Sequence, residues 1–299
     1  MPDQLRHAIL GAGGVGGLIG ACLARSGAPV TMVVRAAALA KYPQQLQLES
    51  PFGNFTVPVT ASAGVPACDV LWLTVKATQL EESLAAVKNP DAVGVIVPLL
   101  NGIDHLAFLR SRYGNERVIP ATIAVESERV APGHMIHRSS FARLNVLSRG
   151  RTLLSSTLEQ LQKIGFECRF IDHEPTLMWS KLVFLGPFAL TTTASDKGTG
   201  EILSDPYWRD LGMTCIREAC AVAVSEGAQL KAEAVIAGLA KMPGNMRSSM
   251  QKDVEQGRTP ELDAIAGPIL RGAERHHIDI PATKNLVTAV EQRVNAQKR

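Results

Sequence analysis

Short apolar runs alternate with helical stretches through the first half of the chain. The runs lie at residues 8–10, 29–34, 69–75, 94–97 and 117–119. Continuous apolar runs are typical of parallel strands covered on both faces. Their alternation with helices, the first over residues 17–25, predicts a doubly wound parallel α/β sheet.

The pattern changes twice further along the chain. Segments 134–137 and 142–147 resemble a hairpin or extra edge strands, followed by a helix at 152–164 and a strand at 166–171. Beyond Asp172 helical periodicity dominates, and Pro and Gly residues mark helix starts and stops. We therefore predict an α/β domain over residues 1–171 and an all-helical domain over residues 172–299.

Composition excludes several classes of protein. The 299 residues are 46% hydrophobic and 20% charged, which is ordinary for a globular protein with its own core. A net charge of +3 without a basic stripe argues against a nucleic-acid partner. The longest apolar run, residues 93–100, is too short to span a membrane, and no secretory signal is visible. We expect a cytoplasmic protein.

Cysteine and histidine spacing argues against cross-links and metal. The five cysteines include no Cys-x-x-Cys pair, so they are expected to be reduced and to pack as small apolar residues. His276 and His277 are adjacent, but no third ligand stands at a recognisable spacing. No metal site is predicted.

A glycine-rich motif follows the first predicted strand and precedes the first helix. The pattern G-x-G-x-x-G is made by Gly11, Ala12, Gly13, Gly14, Val15 and Gly16. In that context the glycines allow a tight turn and let backbone N–H groups approach a pyrophosphate, as in a Rossmann-type domain. The second strand ends in Arg35 with no acidic residue nearby, which favours NADP over NAD because a guanidinium pairs with the 2′-phosphate.

Further motifs follow in order over nearly the whole chain. They are Val75-Lys76-Ala77, Leu100-Asn101-Gly102, Pro132-Gly133-His134, Trp179-Ser180-Lys181-Leu182, Arg247-Ser248-Ser249-Met250-Gln251-Lys252-Asp253, Glu261-Leu262-Asp263 and Arg275-His276-His277-Ile278-Asp279-Ile280-Pro281. With the glycine motif and Arg35, this series resembles the ketopantoate reductase (2-dehydropantoate 2-reductase) family.

The resemblance implies NADPH-dependent reduction of a 2-keto acid to a 2-hydroxy acid, as in the step from 2-dehydropantoate to pantoate in pantothenate and coenzyme A biosynthesis. It also implies a cleft between a Rossmann domain and a helical domain, and it leaves a homodimer open. By motif match, Arg35 holds the 2′-phosphate, Lys76 and Asn101 line the cofactor and substrate cleft, and Lys181 is the general acid. The same match makes Ser249 and Glu261 ligands of the substrate or the nicotinamide.

The residues themselves support these roles unevenly. The helical neighbours of Lys181 at i±3 and i±4 are all apolar, so desolvation is expected to lower its pKa, although a lysine can also snorkel to solvent. Asn101 follows a strand at the ligand-binding edge of the sheet, yet Asn-Gly is also a common turn. Lys76 is equally compatible with an exposed helix start.

Two candidates have ordinary structural explanations as well. Glu261 follows Thr259-Pro260 and is expected in the first turn of a helix, where the helix dipole favours a carboxylate without any function. Ser249 and Asp253 are four residues apart on a predicted helix, and an ordinary polar helix face also explains this spacing.

The sequence departs from the family at three positions. The family usually has asparagines four and eight residues after the lysine and one before a Gly-Glu pair, whereas this chain has Leu185, Ala189 and Thr199. Fewer amides make the pocket more apolar, so the reaction class stands and a bulkier or less polar 2-keto acid becomes an alternative substrate.

Other functions stay open at this point. One alternative is a β-hydroxyacid dehydrogenase of the same two-domain build, running toward oxidation. A redox sensor that binds NADP without turnover is a second, and a Rossmann module that binds no nucleotide is a third.

Overall fold

The computed structural model describes residues 4–297. Contacts divide the chain into two compact units. Unit 1 contains the residues up to Leu100 together with His105–Asp172. Unit 2 contains Asn101–Asp104 and the residues from His173 onward. Each unit has its own apolar core, so each is described separately.

Unit 1 holds all the strands of the described residues. They are β1 (His7–Leu10), β2 (Val30–Val33), β3 (Gln45–Glu49), β4 (Phe55–Pro58), β5 (Thr60–Ser62), β6 (Cys68–Leu73), β7 (Val93–Pro98), β8 (Ala121–Ala124), β9 (Ser127–Ala131), β10 (His134–His137), β11 (Arg143–Leu147) and β12 (Glu167–Ile171). Its helices are α1 (Gly14–Arg25), α2 (Ala36–Leu39), α3 (Leu80–Ser83), α4 (His105–Tyr113) and α5 (Arg151–Ile164).

The central sheet is parallel and has the order β5-β2-β1-β6-β7. β1 lies between β2 and β6, with His7 opposite both Val30 and Val70. The apolar runs at residues 8–10 of β1 and 70–73 of β6 are buried, and Trp72 is fully buried. The parallel sheet with flanking helices confirms the predicted Rossmann-type fold class.

Two smaller sheets complete unit 1, with the orders β4-β3-β10-β9 and β12-β11-β8. Segments 134–137 and 142–147 are strands, but they form neither a hairpin nor sheet edges, because β10 lies between β3 and β9 and β11 lies between β8 and β12. The run at 117–119 forms only a single bridge, between Val118 and Ile96, rather than a strand.

Unit 2 is helical. Its helices are α6 (Glu174–Ser195), α7 (Thr199–Ser204), α8 (Pro206–Ser225), α9 (Ala232–Leu239), α10 (Ser249–Glu255), α11 (Leu262–Arg275) and α12 (Pro281–Gln297). Pro175, Pro206 and Pro281 stand in first turns, where a proline costs no hydrogen bond. The long helix α6 packs against α8, α10, α11 and α12, so the side chains along α6 are fixed from several sides.

The cysteines have the structural role expected from their spacing. All five are buried and free, and burial raises the pKa of Cys22 and Cys215 to about 12. Thiols held protonated in this way are poor nucleophiles. Separately, none of the helices described in residues 4–297 is long and apolar enough to cross a membrane.

Candidate active site

The glycine motif forms a tight loop between β1 and α1. Gly11 has φ +115°, and a Cβ there would lie 2.7 Å from the backbone of Thr74. A Cβ on Gly16 would lie 2.0 Å from the carbonyl oxygen of Gly11. Glycine is therefore required at both positions, because a side chain would force the strand, the loop and the helix apart.

Two residues that the sequence did not single out hold this loop. Thr74 Oγ1 donates to the Gly11 carbonyl at 2.7 Å, and Ser127 Oγ donates to the Gly14 carbonyl at 2.9 Å. Thr74 directly follows β6, and a polar residue at that strand end was a usable signal. Ser127 comes from β9, which the sequence pattern did not reveal.

The start of α1 suits an anionic group. Gly13 is the N-cap, and it offers no side chain to the free backbone N–H groups of the first turn. The first turn contains no acidic residue, and a Cβ on Gly13 would meet nothing within 4 Å. An open approach to unsatisfied N–H groups at the positive end of a 12-residue helix fits a pyrophosphate. These residues therefore fit a dinucleotide.

Arg35 and Lys76 follow the two strands that flank β1 in the central sheet of unit 1. Arg35 follows β2, immediately before α2, and its side chain is exposed. Within residues 4–297 no carboxylate pairs with Arg35, so its guanidinium is available for a phosphate. Lys76 follows β6 at the start of the short 3-10 helix Ala77–Gln79 and is half-buried.

Three predicted residues form one hydrogen-bonded chain in unit 2. Lys181 Nζ donates to Asn101 Oδ1 at 3.0 Å, and Asn101 Nδ2 donates to Glu261 Oε2 at 3.0 Å. Lys181 lies in the second turn of α6, Asn101 in the short segment after β7, and Glu261 at the N-cap of α11. We call this arrangement the Lys–Asn–Glu chain.

The amide of Asn101 is oriented by both neighbours. Its oxygen faces the ammonium, which only donates, and its nitrogen faces a carboxylate, which only accepts. Glu261 is 7% exposed, so the carboxylate is held in a largely dry position. Glu261 stands just before the helix instead of in its first turn as expected, since α11 begins at Leu262.

Burial determines the acidity of Lys181. Removal from water lowers the pKa of Lys181 from 10.5 to about 8, and the nearby Glu261 carboxylate partly opposes this shift. The lysine is still mostly protonated at neutral pH, by about tenfold, yet gives up its proton far more readily than a surface lysine.

Ser249 is not joined to the Lys–Asn–Glu chain. It is the first residue of α10 and is exposed, and no hydrogen bond in residues 4–297 links it to Lys181, Asn101 or Glu261. Its neighbour Ser248 is buried, caps α10 through the N–H of Gln251 at 3.1 Å, and accepts from Thr192 Oγ1.

The three positions that lack amides are apolar or already satisfied. Leu185 packs against a buried cluster, and Ala189 is fully buried within it. Thr199 is 1% exposed and donates its hydroxyl to the carbonyl of Met246. Phe184 and Phe188 stack on the same helix with ring centroids 5.9 Å apart. Residues 182–190 of α6, directly after Lys181, are therefore apolar.

A parallel sheet with a glycine loop for a dinucleotide, and a half-buried lysine of lowered pKa in a second unit, define the class of NAD(P)-dependent oxidoreductases. Comparison with known proteins specifies the family. The family model described as ketopantoate reductase PanE/ApbA matches residues 7–146, and the model of its C-terminal domain matches residues 176–294. The chain belongs to the ketopantoate reductase family.

Curated relatives agree with this assignment. The chain is 30% identical over 296 residues to the protein named uncharacterized oxidoreductase YkpB of Bacillus subtilis, covering 94% of this chain and 96% of YkpB. It is 28% identical over 299 residues to 2-dehydropantoate 2-reductase of Caulobacter vibrioides, covering 94% of this chain and 96% of that relative. The predicted oxidoreductase class is thereby confirmed, and membership of this family indicates a nicotinamide dinucleotide cofactor.

Solved structures share the fold over nearly full length. The 2-dehydropantoate 2-reductase of Geobacter metallireducens has a TM-score of 0.85 at 27% identity, covering 96% of this chain and 99% of its own. A D-mandelate dehydrogenase solved with NADH and anilino(oxo)acetate has a TM-score of 0.85 at 22% identity, covering 99% and 100%. At 22% identity, the similarity to D-mandelate dehydrogenase shows a shared fold only.

Proposed function

We propose that this protein reduces a 2-keto acid to a 2-hydroxy acid with NADPH, and that Lys181 is the general acid. The observation that carries the proposal is the Lys–Asn–Glu chain, in which a lysine with a pKa of about 8 donates to Asn101 at 3.0 Å. Reduction of 2-dehydropantoate to pantoate is the first candidate reaction, and it would serve pantothenate biosynthesis.

The chemistry requires a proton donor next to a polarised carbonyl. NADPH, when bound, supplies the hydride. Negative charge then grows on the substrate oxygen, and a nearby ammonium stabilises that charge and delivers a proton to it. Lys181 carries both capacities, while Asn101 and Glu261 keep its amine in one position. Ser249, exposed at the start of α10, is a candidate ligand of the substrate carboxylate.

NADPH is favoured over NADH by Arg35. Its exposed guanidinium lacks a carboxylate partner within residues 4–297, and the planar fork suits a phosphate. We expect Arg35→Ser to raise the KM for NADPH about tenfold or more while changing the KM for NADH little, because only NADPH carries the 2′-phosphate. Steady-state kinetics with each cofactor measures this, with Arg129→Ser, exposed on β9, as the control. An equal loss for both cofactors would contradict the role of Arg35.

A second candidate substrate is a less polar 2-keto acid, such as one with an aryl or branched aliphatic side chain. Leu185, Ala189 and the occupied hydroxyl of Thr199 offer no amide to a polar substrate, and Phe184 lies one turn beyond Lys181 on α6. A site without those amides loses its discrimination in favour of a hydroxylated substrate. The D-mandelate dehydrogenase that shares this fold acts on an aryl 2-hydroxy acid, as its name states.

The test mixes purified protein with NADPH and a panel of 2-keto acids, including 2-dehydropantoate and phenylglyoxylate, and follows the loss of absorbance at the nicotinamide band. Lys181→Ala is the catalytic variant, and Lys197→Ala is its matched control on an ion-paired lysine elsewhere in unit 2. We expect turnover that Lys181→Ala reduces by about 100-fold or more and Lys197→Ala leaves intact.

The outcomes separate the candidates. Preference for 2-dehydropantoate supports the first reaction, and preference for an aryl or branched acid supports the second. NADPH binding without any turnover would overturn both and favour a redox sensor. Turnover that survives in Lys181→Ala would remove the lysine from the mechanism.

A further inference from the structure

Residues Asn101–Asp104 are a short arm that packs with unit 2, although the residues before and after it belong to unit 1. Asn101 at its start is the middle member of the Lys–Asn–Glu chain. Four residues of turn, outside any helix or strand, have no intrinsic reason to hold one amide in place. The arm therefore needs contacts of its own, and the structure provides three.

The first contact is a backbone approach at Gly102. Gly102 has φ +80°, and a Cβ there would lie 2.2 Å from the carbonyl oxygen of Ala264. Ala264 is in the first turn of α11, three residues after Glu261. The arm thus lies directly against the helix whose N-cap carries the carboxylate, and only glycine permits both the conformation and the distance.

The second contact is apolar. Ile103, the next residue of the arm, packs against the buried cluster of unit 2 that includes Trp179, Leu182 and Ile269. Two of these residues, Trp179 and Leu182, are on α6 on either side of Lys181. Burial of Ile103 therefore ties the arm to the helix that carries the lysine.

The third contact is an ion pair made by Asp104, the last residue of the arm. Arg271 Nη1 donates to Asp263 Oδ1 at 2.8 Å, and Arg271 Nη2 pairs with Asp104 of the arm. The guanidinium crosses Gly267, where a Cβ would lie 2.3 Å from Arg271 Nη2. A glycine one turn before Arg271 thus leaves the space through which the side chain reaches both carboxylates.

We infer that Gly102, Asp104 and Arg271 are positioning residues, which hold the Asn101 amide between Lys181 and Glu261. They act through Asn101 and touch none of the reacting atoms themselves. Their effect on catalysis rests on the proposed function, whereas their effect on the position of the amide does not.

The amide itself can be observed by NMR. The chain contains eight asparagines, so protein labelled selectively with ¹⁵N-asparagine gives few side-chain NH₂ pairs, and the Asn101 pair is identified by its loss in Asn101→Ala. Donation to the Glu261 carboxylate is expected to shift one proton downfield and slow its exchange with water. We expect Gly102→Ala and Arg271→Gln to move this proton toward the position of a free amide.

Arg275→Gln is the matched control. Arg275 lies one turn further along α11 and is likewise ion-paired, but to Glu226 at the C-cap of α8 rather than to the arm. Its removal is expected to leave the Asn101 signal unchanged. Arg271 is exposed, so Arg271→Gln is expected to fold even where Gly102→Ala does not.

Kinetics supplies the second readout. We expect kcat to fall about tenfold or more in Gly102→Ala and about two- to fivefold in Arg271→Gln, a larger change than in the KM for NADPH, because the displaced amide lies beside the proton donor. An Asn101 signal unchanged in both variants would overturn the inference. Protein that turns over no keto acid would overturn the proposed function, while the NMR comparison would still decide the role of the arm.

Discussion

At the scale of the residue, the proposed proton transfer depends on Lys181. Its depressed pKa of about 8 predicts an alkaline limb in the pH profile of kcat for keto-acid reduction. Below about pH 8, Lys181 carries the proton that the proposed mechanism requires it to donate. As the pH rises through about 8 the donor is lost, so we expect the rate to fall tenfold per pH unit. Measurement of kcat at saturating NADPH from pH 6 to 10 tests this.

Lys181→Arg separates this explanation from general alkaline inactivation. Arginine stays protonated throughout the range, so a variant with residual activity is expected to lose the alkaline limb while working more slowly. A wild-type profile that stays flat to pH 10, or an identical limb in Lys181→Arg, would assign the limb to another group.

At the scale of the element, helix α12 depends on a carboxylate from a different helix. Glu218 of α8 is 9% exposed and accepts from the N–H groups of Ala282 and Thr283 and from Thr283 Oγ1, at 2.7 to 2.9 Å. Glu218→Ala leaves two backbone donors and a hydroxyl buried without an acceptor. We expect a loss of about 2–4 kcal/mol in the free energy of unfolding.

Urea denaturation of the whole protein, followed by tryptophan fluorescence, measures this loss, because two of the three tryptophans, Trp179 and Trp208, are in unit 2. Glu274→Ala removes an exposed carboxylate from α11 and is the control, expected to change stability by less than about 0.5 kcal/mol. Equal stability of the Glu218 and Glu274 variants would show that water replaces the carboxylate at the helix end.

The elements also show what a sequence pattern can and cannot predict. Long apolar runs and proline-marked helices were predictable because burial and helix capping act locally. The strands β3, β4, β5, β8 and β9 were missed, although β3 has the alternating pattern QLQLE and its two leucines are fully buried. The partners of β10 and β11 were also mispredicted, since strand pairing is decided by tertiary contacts between segments far apart in the chain.

At the scale of the whole molecule, the same limit applies to the site. Motifs singled out Lys181, Asn101 and Glu261 one by one, but 80 residues separate the first two and 160 separate Asn101 from Glu261. Their hydrogen-bonded order, and the arm that fixes it, arise only when α6 and α11 pack. Ser249, chosen from the same kind of motif, stays outside that chain.

The response of the molecule to acid is set partly by a buried histidine in the central sheet. His7 of β1 is 2% exposed and accepts from Trp72 Nε1 at 3.2 Å. Burial lowers the pKa of His7 from 6.5 to about 4, against the weaker pull of Asp69. Between pH 6.5 and 4, His7 therefore binds a proton in the unfolded chain but not in the native protein. The contribution of neutral His7 to the free energy of unfolding is complete above pH 6.5 and is lost as the pH falls toward 4, by up to about 3 kcal/mol.

His7→Asn tests this assignment, because the amide oxygen keeps an acceptor for Trp72 and does not titrate. We expect the difference in urea midpoint between pH 7 and pH 4.5 to shrink in the variant, while its stability at pH 7 changes less. Burial also lowers the pKa of His137, so part of the acid sensitivity is expected to remain. The Arg6–Asp69 ion pair stabilises the native protein at pH 7 and at pH 4.5 alike, and its contribution is lost only at lower pH, because the pKa of Asp69 lies below 3.8. An acid response that is the same in His7→Asn and in the wild type would place the sensitive group elsewhere in the protein.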